Sequence, residues 1–230
     1  MKVNKKKVVL EQETGYPWNG NIRVKVIQAN QAFALKLRIP GWVRGEVLPS
    51  DLYTYADRQK PAYRVTVNGQ EVPNELNNGY LSIERKWRKG DMIEVHLDML
   101  PRIVKANEKV IDDKGRVAVE RGPIVYCAEW PDNKCNVHTV LLNQHPQFKI
   151  IEKPELLYGV NQIITDAQTL SYDKNGKLAT KDVELTLIPY YAWAHRGEGD
   201  MEVWLPIDIS AASALPQEAG KWEDNGFFKN

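Results

Sequence analysis

Apolar and polar residues alternate with a period of two over much of the chain. Ile22, Val24 and Val26 alternate with Arg23 and Lys25, and Phe33, Leu35, Leu37 and Ile39 with Lys36 and Arg38. Residues two apart share one face of a strand, so each run predicts a half-buried strand. With Gln28-Ala29-Asn30-Gln31 between them, the two runs read as a hairpin, closed by Pro40-Gly41. Val65 and Val67 alternate with Arg64 and Thr66 and lead into Asn68-Gly69. That dipeptide suits the left-handed positions of a two-residue hairpin turn. Tyr80 to Arg85 and Met92 to Met99, joined by Lys89-Gly90-Asp91, predict another strand pair.

The alternation weakens and the chain turns polar between Pro101 and Lys114, which places a domain boundary near residue 105 and predicts domains at 1–105 and 106–230. A second set of strands follows at Arg116 to Glu120, Val137 to Leu142, Val160 to Thr165, Val183 to Leu187 and Met201 to Leu205. Pro123 to Ala128 is apolar on both faces, as a central strand is. No segment keeps apolar residues at helical spacing over three turns, and residues 210–219 offer one short helical turn that Pro216 limits. The fold class expected is all-β, as two tandem antiparallel β-sandwiches of jelly-roll or immunoglobulin-like kind. One larger continuous β domain is the alternative. The 230 residues provide for two cores.

Charge narrows the partners. Lys and Arg total 31 against 30 Asp and Glu, a net charge of +1, so neither nucleic acid nor an anionic membrane surface is expected. No apolar run approaches the roughly 20 residues of a membrane span. The start, MKVNKKKVVLEQ, has only Val8-Val9-Leu10 as its apolar stretch, too short for a signal peptide. Localisation stays open between the cytoplasm and export directed from outside this sequence. Cys127 and Cys135, with four histidines, do not make the close ligand pairs of structural zinc, and unpaired thiols are favoured over a local disulfide. No metal or cofactor is expected in this chain.

Candidate chemistry is sparse. Of Asp91, Asp98, Glu120, Glu129, Glu198, Asp200 and Glu202, most fall on outward strand positions or in turns and read as solvated charges, with Asp98 and Glu120 singled out because they flank central strands. There is no G-x-S-x-G elbow, Walker A loop or dinucleotide glycine pattern. His138 beside Cys135 is a weak pairing, and Cys127 lies in an apolar strand where a thiol is inert. The excess is aromatic: seven Trp and ten Tyr. Trp42 and Trp87, at strand ends, are expected in the core. Tyr16-Pro17-Trp18 precedes the first long strand and suits a sheet edge or a neighbouring domain. The densest cluster, Tyr190, Tyr191, Trp193, His195 and Arg196, enters a loop containing Gly197 and Gly199 and is read as a contact surface for a domain or a ligand.

Taken in order, several strings carry a resemblance: Tyr16-Pro17-Trp18-Asn19-Gly20, Leu37-Arg38-Ile39-Pro40-Gly41-Trp42, Val67-Asn68-Gly69, Gly79-Tyr80-Leu81, Arg85-Lys86-Trp87-Arg88-Lys89-Gly90-Asp91, Val119-Glu120-Arg121-Gly122-Pro123-Ile124-Val125-Tyr126-Cys127 and Leu187-Ile188-Pro189-Tyr190-Tyr191-Ala192-Trp193-Ala194-His195-Arg196-Gly197. Over roughly residues 8 to 206 the chain resembles the C-terminal β-sandwich region of glycoside hydrolase family 127, the β-L-arabinofuranosidase family. The resemblance implies that chemistry belongs to an N-terminal (α/α)6 barrel with a cysteine nucleophile in a zinc–thiolate site and a glutamate acid/base. The family's ligand cluster includes adjacent cysteines, so neither role passes to Cys127 or Cys135. It implies a non-catalytic accessory region whose partner is its own N-terminal catalytic domain, with Tyr16 to Trp18 and Trp193 to Arg196 as candidate contacts. An autonomous carbohydrate-binding module using exposed Trp and Tyr is the alternative.

Overall fold

A computed structural model describes residues 1–73, 75–213 and 215–216. Among the described residues there are strands and short 3-10 turns and no α-helix, so none is long and apolar enough to cross a membrane. The chain divides into two compact units, one of residues 1–49 with 58–100, the other of residues 50–57 with 101–230.

The first unit is built from β1 (Val9–Thr14), β2 (Asn21–Gln28), β3 (Asn30–Arg38), β4 (Tyr63–Val67), β5 (Tyr80–Arg88) and β6 (Met92–Leu97). One antiparallel sheet runs β1–β2–β6–β4 and ends on Gln70–Glu71; a second joins β3 and β5 with Leu76–Asn77. The alternation places Val24, Val26, Val65, Val67, Ile93, Val95 and Leu97 of one sheet and Leu35, Leu81, Ile83 and Trp87 of the other in the core. The Asn68-Gly69 turn forms as expected, with both residues at positive φ and Thr66 and Val67 paired to Glu71 and Gln70.

Two expected hairpins are not hairpins. β2 and β3 lie in different sheets, as do β5 and β6. Ala29, buried, carries the chain across between β2 and β3, and Lys89-Gly90-Asp91 does so between β5 and β6. Alternation reports which residues face the core, and the inner faces of both sheets satisfy it equally. Trp42 and Trp87 are in the core, and the Trp87 indole donates to the Phe33 carbonyl at 3.0 Å.

The second unit contains β7 (Pro101–Ala106), β8 (Arg116–Arg121), β9 (Ile124–Glu129), β10 (Val140–Leu142), β11 (Lys149–Lys153), β12 (Val160–Tyr172) and β13 (Leu178–Pro189). They pair antiparallel in the order β10–β12–β13–β9–β8–β7, and Tyr53–Tyr55 adds a last strand beside β7. β9 pairs on both edges and is buried almost throughout, the central strand that its composition predicts. The expected strand from Val137 begins instead with a 3-10 turn, Val137–Thr139, because the Asn136 side chain accepts from the His138 N–H at 2.9 Å. Near the end, Ile209–Ala211 make one 3-10 turn; residues 214 and 217–219 of the turn expected there lie outside the described residues.

Candidate functional site

Strands β9 and β13 deliver the aromatic loop. They pair antiparallel, Tyr126 to Ala128 against Pro189 to Leu187, so β13 ends beside Tyr126 while β9 runs on past Leu187. β13 stops at Pro189 and turns through Tyr190–Ala192; β9 stops at Glu129 and turns through Trp130–Asp132. Asn133, buried, ties the turn after β9 to Thr186 of β13. Its amide donates to the carbonyls of Glu129 (2.8 Å) and Thr186 (3.0 Å), and its oxygen accepts from the Thr186 N–H (2.9 Å).

Glu129 lies at the centre. Its side chain is 0% exposed. Oε1 accepts the Ala194 N–H at 2.9 Å, and Oε2 accepts from Arg196. Arg196 also grips both oxygens of Asp132, whose Oδ1 takes a further bond from the Gln162 amide at 3.1 Å. A buried carboxylate needs such partners, because water no longer solvates it. The hydrogen bonds to Asp132 lead in holding the Arg196 pKa above its ordinary value, against the opposing effect of burial. Burial, followed by the charges of Glu129 and Asp132, pushes the Cys127 thiol up to about 12. At neutral pH it is a protonated thiol and no nucleophile.

A second network fixes residues 50–57 to their unit. Tyr55 donates to Glu120 at 2.8 Å, Arg102 forks onto Asp57 at 2.7 and 3.1 Å, and the guanidinium lies 3.4 Å over the Tyr55 ring. Burial raises the Glu120 pKa against the Tyr55 hydrogen bond and the Arg102 charge.

The reading of most of the carboxylates as solvated is corrected at Glu120, Glu129 and Asp91, which are buried, Glu120 being one of the two singled out. The signal for Glu129 was its place inside an apolar run, after Tyr126-Cys127-Ala128 and before Trp130-Pro131. Asp132 and Asn133 had no comparable signal. Asp98 is half-buried, and Glu198 is exposed. Glu202 accepts from Arg116 at 3.0 Å and meets His138 Nδ1 at 2.7 Å, so His138 partners Glu202 through its ring. Both cysteines are free thiols. Among the described residues no group of three or more His, Cys, Asp or Glu is arranged to hold a metal ion.

The sequence-chosen aromatics divide between the units. Tyr16 and Trp18 are half-buried in the first, where the Tyr16 hydroxyl accepts from the Trp42 indole at 3.3 Å. In the second unit Tyr190, Tyr191, Trp193 and His195 are exposed. Arg196 departs from that group: its guanidinium turns inward, anchoring the loop rather than facing a ligand.

Residues 1–99 match the family model for the β-L-arabinofuranosidase GH127 middle domain, and residues 101–206 match that for the glycoside hydrolase family 127 C-terminal domain. A solved GH127 β-arabinofuranosidase is 77% identical, with a TM-score of 0.92 over 94% of this chain and 34% of its own. The solved GH127 β-L-arabinofuranosidase of Geobacillus stearothermophilus T6 is 33% identical, with a TM-score of 0.77 over 90% of this chain and 31% of its own. The non-reducing end β-L-arabinofuranosidase of Bifidobacterium longum subsp. longum is 31% identical over 215 residues, 86% of this chain and 30% of that protein. The chain thus spans about a third of the length of these relatives.

Proposed function

Since the chain belongs to glycoside hydrolase family 127, as its middle and C-terminal domains, we propose that it is the non-catalytic β-sandwich region of an arabinofuranosidase-type enzyme and serves to support that enzyme's catalytic domain. The observation that carries this reading is the occupation of its buried carboxylates. Glycosidic hydrolysis by the usual route sets two carboxyl groups across one sugar with room for it between them. Here Glu129 is fully enclosed with both oxygens engaged, and Glu120 is bound to Tyr55. Glu129 holds the Ala194 backbone and Glu120 holds the Tyr55 side chain, which is the work of a scaffold.

The test combines this chain with a catalytic domain taken from a family relative and produced without its β region. The chain alone releases no nitrophenol from 4-nitrophenyl β-L-arabinofuranoside. Adding it to the isolated catalytic domain raises that domain's melting temperature and its activity. Turnover by the chain alone overturns the non-catalytic reading, and a catalytic domain indifferent to the added chain overturns the supporting role.

A further inference from the structure

The loop after β13 is more firmly built than a connection requires. Tyr190 and Trp193 are 46% and 38% exposed, their rings parallel to within 7° with centroids 6.3 Å apart. The 3-10 turn between them explains the alignment, because it brings residues three apart onto one side. Three fixtures then hold the turn. Ala194 sits at φ +65°, an unfavourable conformation for alanine, with its N–H held by enclosed Glu129. Arg196 is clamped between Glu129 and Asp132. Gly199 lies flat on Trp130, where a Cβ would come within 2.0 Å of the indole. Strain at a residue held by a buried charge, supporting two rings left in water, is the signature of a preorganised binding surface.

We propose that Tyr190 and Trp193 form a carbohydrate subsite that takes the C–H face of a sugar ring, an arabinose residue of an oligosaccharide, by stacking on their aromatic faces. A protein partner is the poorer fit. A stable protein interface covers about 800 Å² on each side, whereas this ring pair, with exposed Tyr191 between them in the chain, is followed by exposed His195, Gly197, Glu198 and Gly199. A small aromatic surface with a polar border suits a small, amphipathic ligand. Arg196 is a positioning residue for the rings and touches no sugar. Arabinose is the sugar to offer because the solved and curated relatives are β-L-arabinofuranosidases, so that choice rests on the proposed function.

The experiment is titration of the 230-residue chain with arabino-oligosaccharides of two to four residues, followed by calorimetry and tryptophan fluorescence, with maltotriose as the control glycan. Saturable binding with Kd on the order of 0.1–1 mM is expected. Trp193→Ala weakens it about tenfold or more while the far-UV circular dichroism of the fold is retained. Tyr190→Ala, an independent surface variant, weakens it as well. Arg196→Met weakens it while both rings are still present. No saturation by about 10 mM sugar, or binding that survives Trp193→Ala, overturns the proposal. Loss of catalytic-domain association in Trp193→Ala, with sugar binding absent in the unsubstituted chain, makes the pair a protein contact: the subsite falls and the supporting role stands.

Discussion

Asp91 holds a corner of the first unit with one side chain. Its Oδ1 accepts from the Asn68 amide at 2.9 Å and its Oδ2 from the Arg88 N–H at 2.8 Å, while its carbonyl accepts the Val26 N–H at 2.8 Å. Asn68 in turn accepts the Met92 N–H at 2.8 Å, so the turn after β4 and the crossing after β5 share one acid. Burial alone would raise its pKa; the bonds from Asn68 and Arg88 outweigh it and hold the carboxyl below the ordinary 3.8. Asp91→Ala leaves the Arg88 N–H and the Asn68 amide without their acceptor, and is expected to cost about 1–3 kcal/mol at pH 7. A depressed folded-state pKa stabilises above the unfolded value, and that stabilisation is lost as pH falls through the folded one. The deficit in Asp91→Ala is therefore full at neutral pH and narrows below about 3.8. Urea melts of both proteins at several pH values measure it; a deficit that grows on acidification contradicts the assignment. Nothing in the local sequence separates Asp91 from the exposed Asp112, because its partners Asn68 and Val26 are far away in the chain.

Among elements, the strands were legible and their pairing was not. In the first unit β2, β4, β5 and β6 have their buried residues where alternation placed them and β1 was not foreseen, yet β2–β3 and β5–β6 each cross between sheets. The Asn68-Gly69 hairpin was legible because its turn chemistry is local: two positive-φ residues close it without help from elsewhere. The loop after β13 shows the opposite dependence, since its shape is imposed by Glu129 and Trp130, more than 60 residues earlier by sequence number. Gly199→Ala tests that imposition. Its Cβ would meet the Trp130 ring within 2.0 Å, so loop or indole must shift. A loss of about 1–3 kcal/mol is expected, with altered Trp fluorescence. Gly176→Ala, at a positive-φ turn with open space around it, is the strain-only control and leaves the fluorescence unchanged.

For the whole chain, the consequential feature is the excursion of residues 50–57 into the second unit. Tyr53–Tyr55 pairs with β7, Tyr55 binds Glu120 and Asp57 binds Arg102. A cut between Leu100 and Pro101, where the matched family domains divide, removes that strand from the second fragment. Residues 101–230 alone then carry a buried Glu120 without its tyrosine and an Arg102 without Asp57. They are expected to melt with a stability lower by at least about 2 kcal/mol. Adding a peptide of residues 50–57 restores part of the loss. A fragment as stable as the intact chain's second unit, followed by hydrogen exchange in β7 and β8, argues against that role for the excursion.

The sequence by itself determined the all-β class, the inward face of the strands whose alternation is clear, the Asn68-Gly69 turn and, through its ordered motifs, the family. These follow from interactions between residues close in the chain, which local pattern records. Tertiary structure decided which strands share a sheet, which acids are buried, and which side of the aromatic loop meets water. Arg196 illustrates the division: beside four rings it reads as part of a contact surface, but Glu129 and Asp132 reach it across the fold and draw it inward. A charge follows the partner that replaces its lost water, and here that partner is distant in sequence.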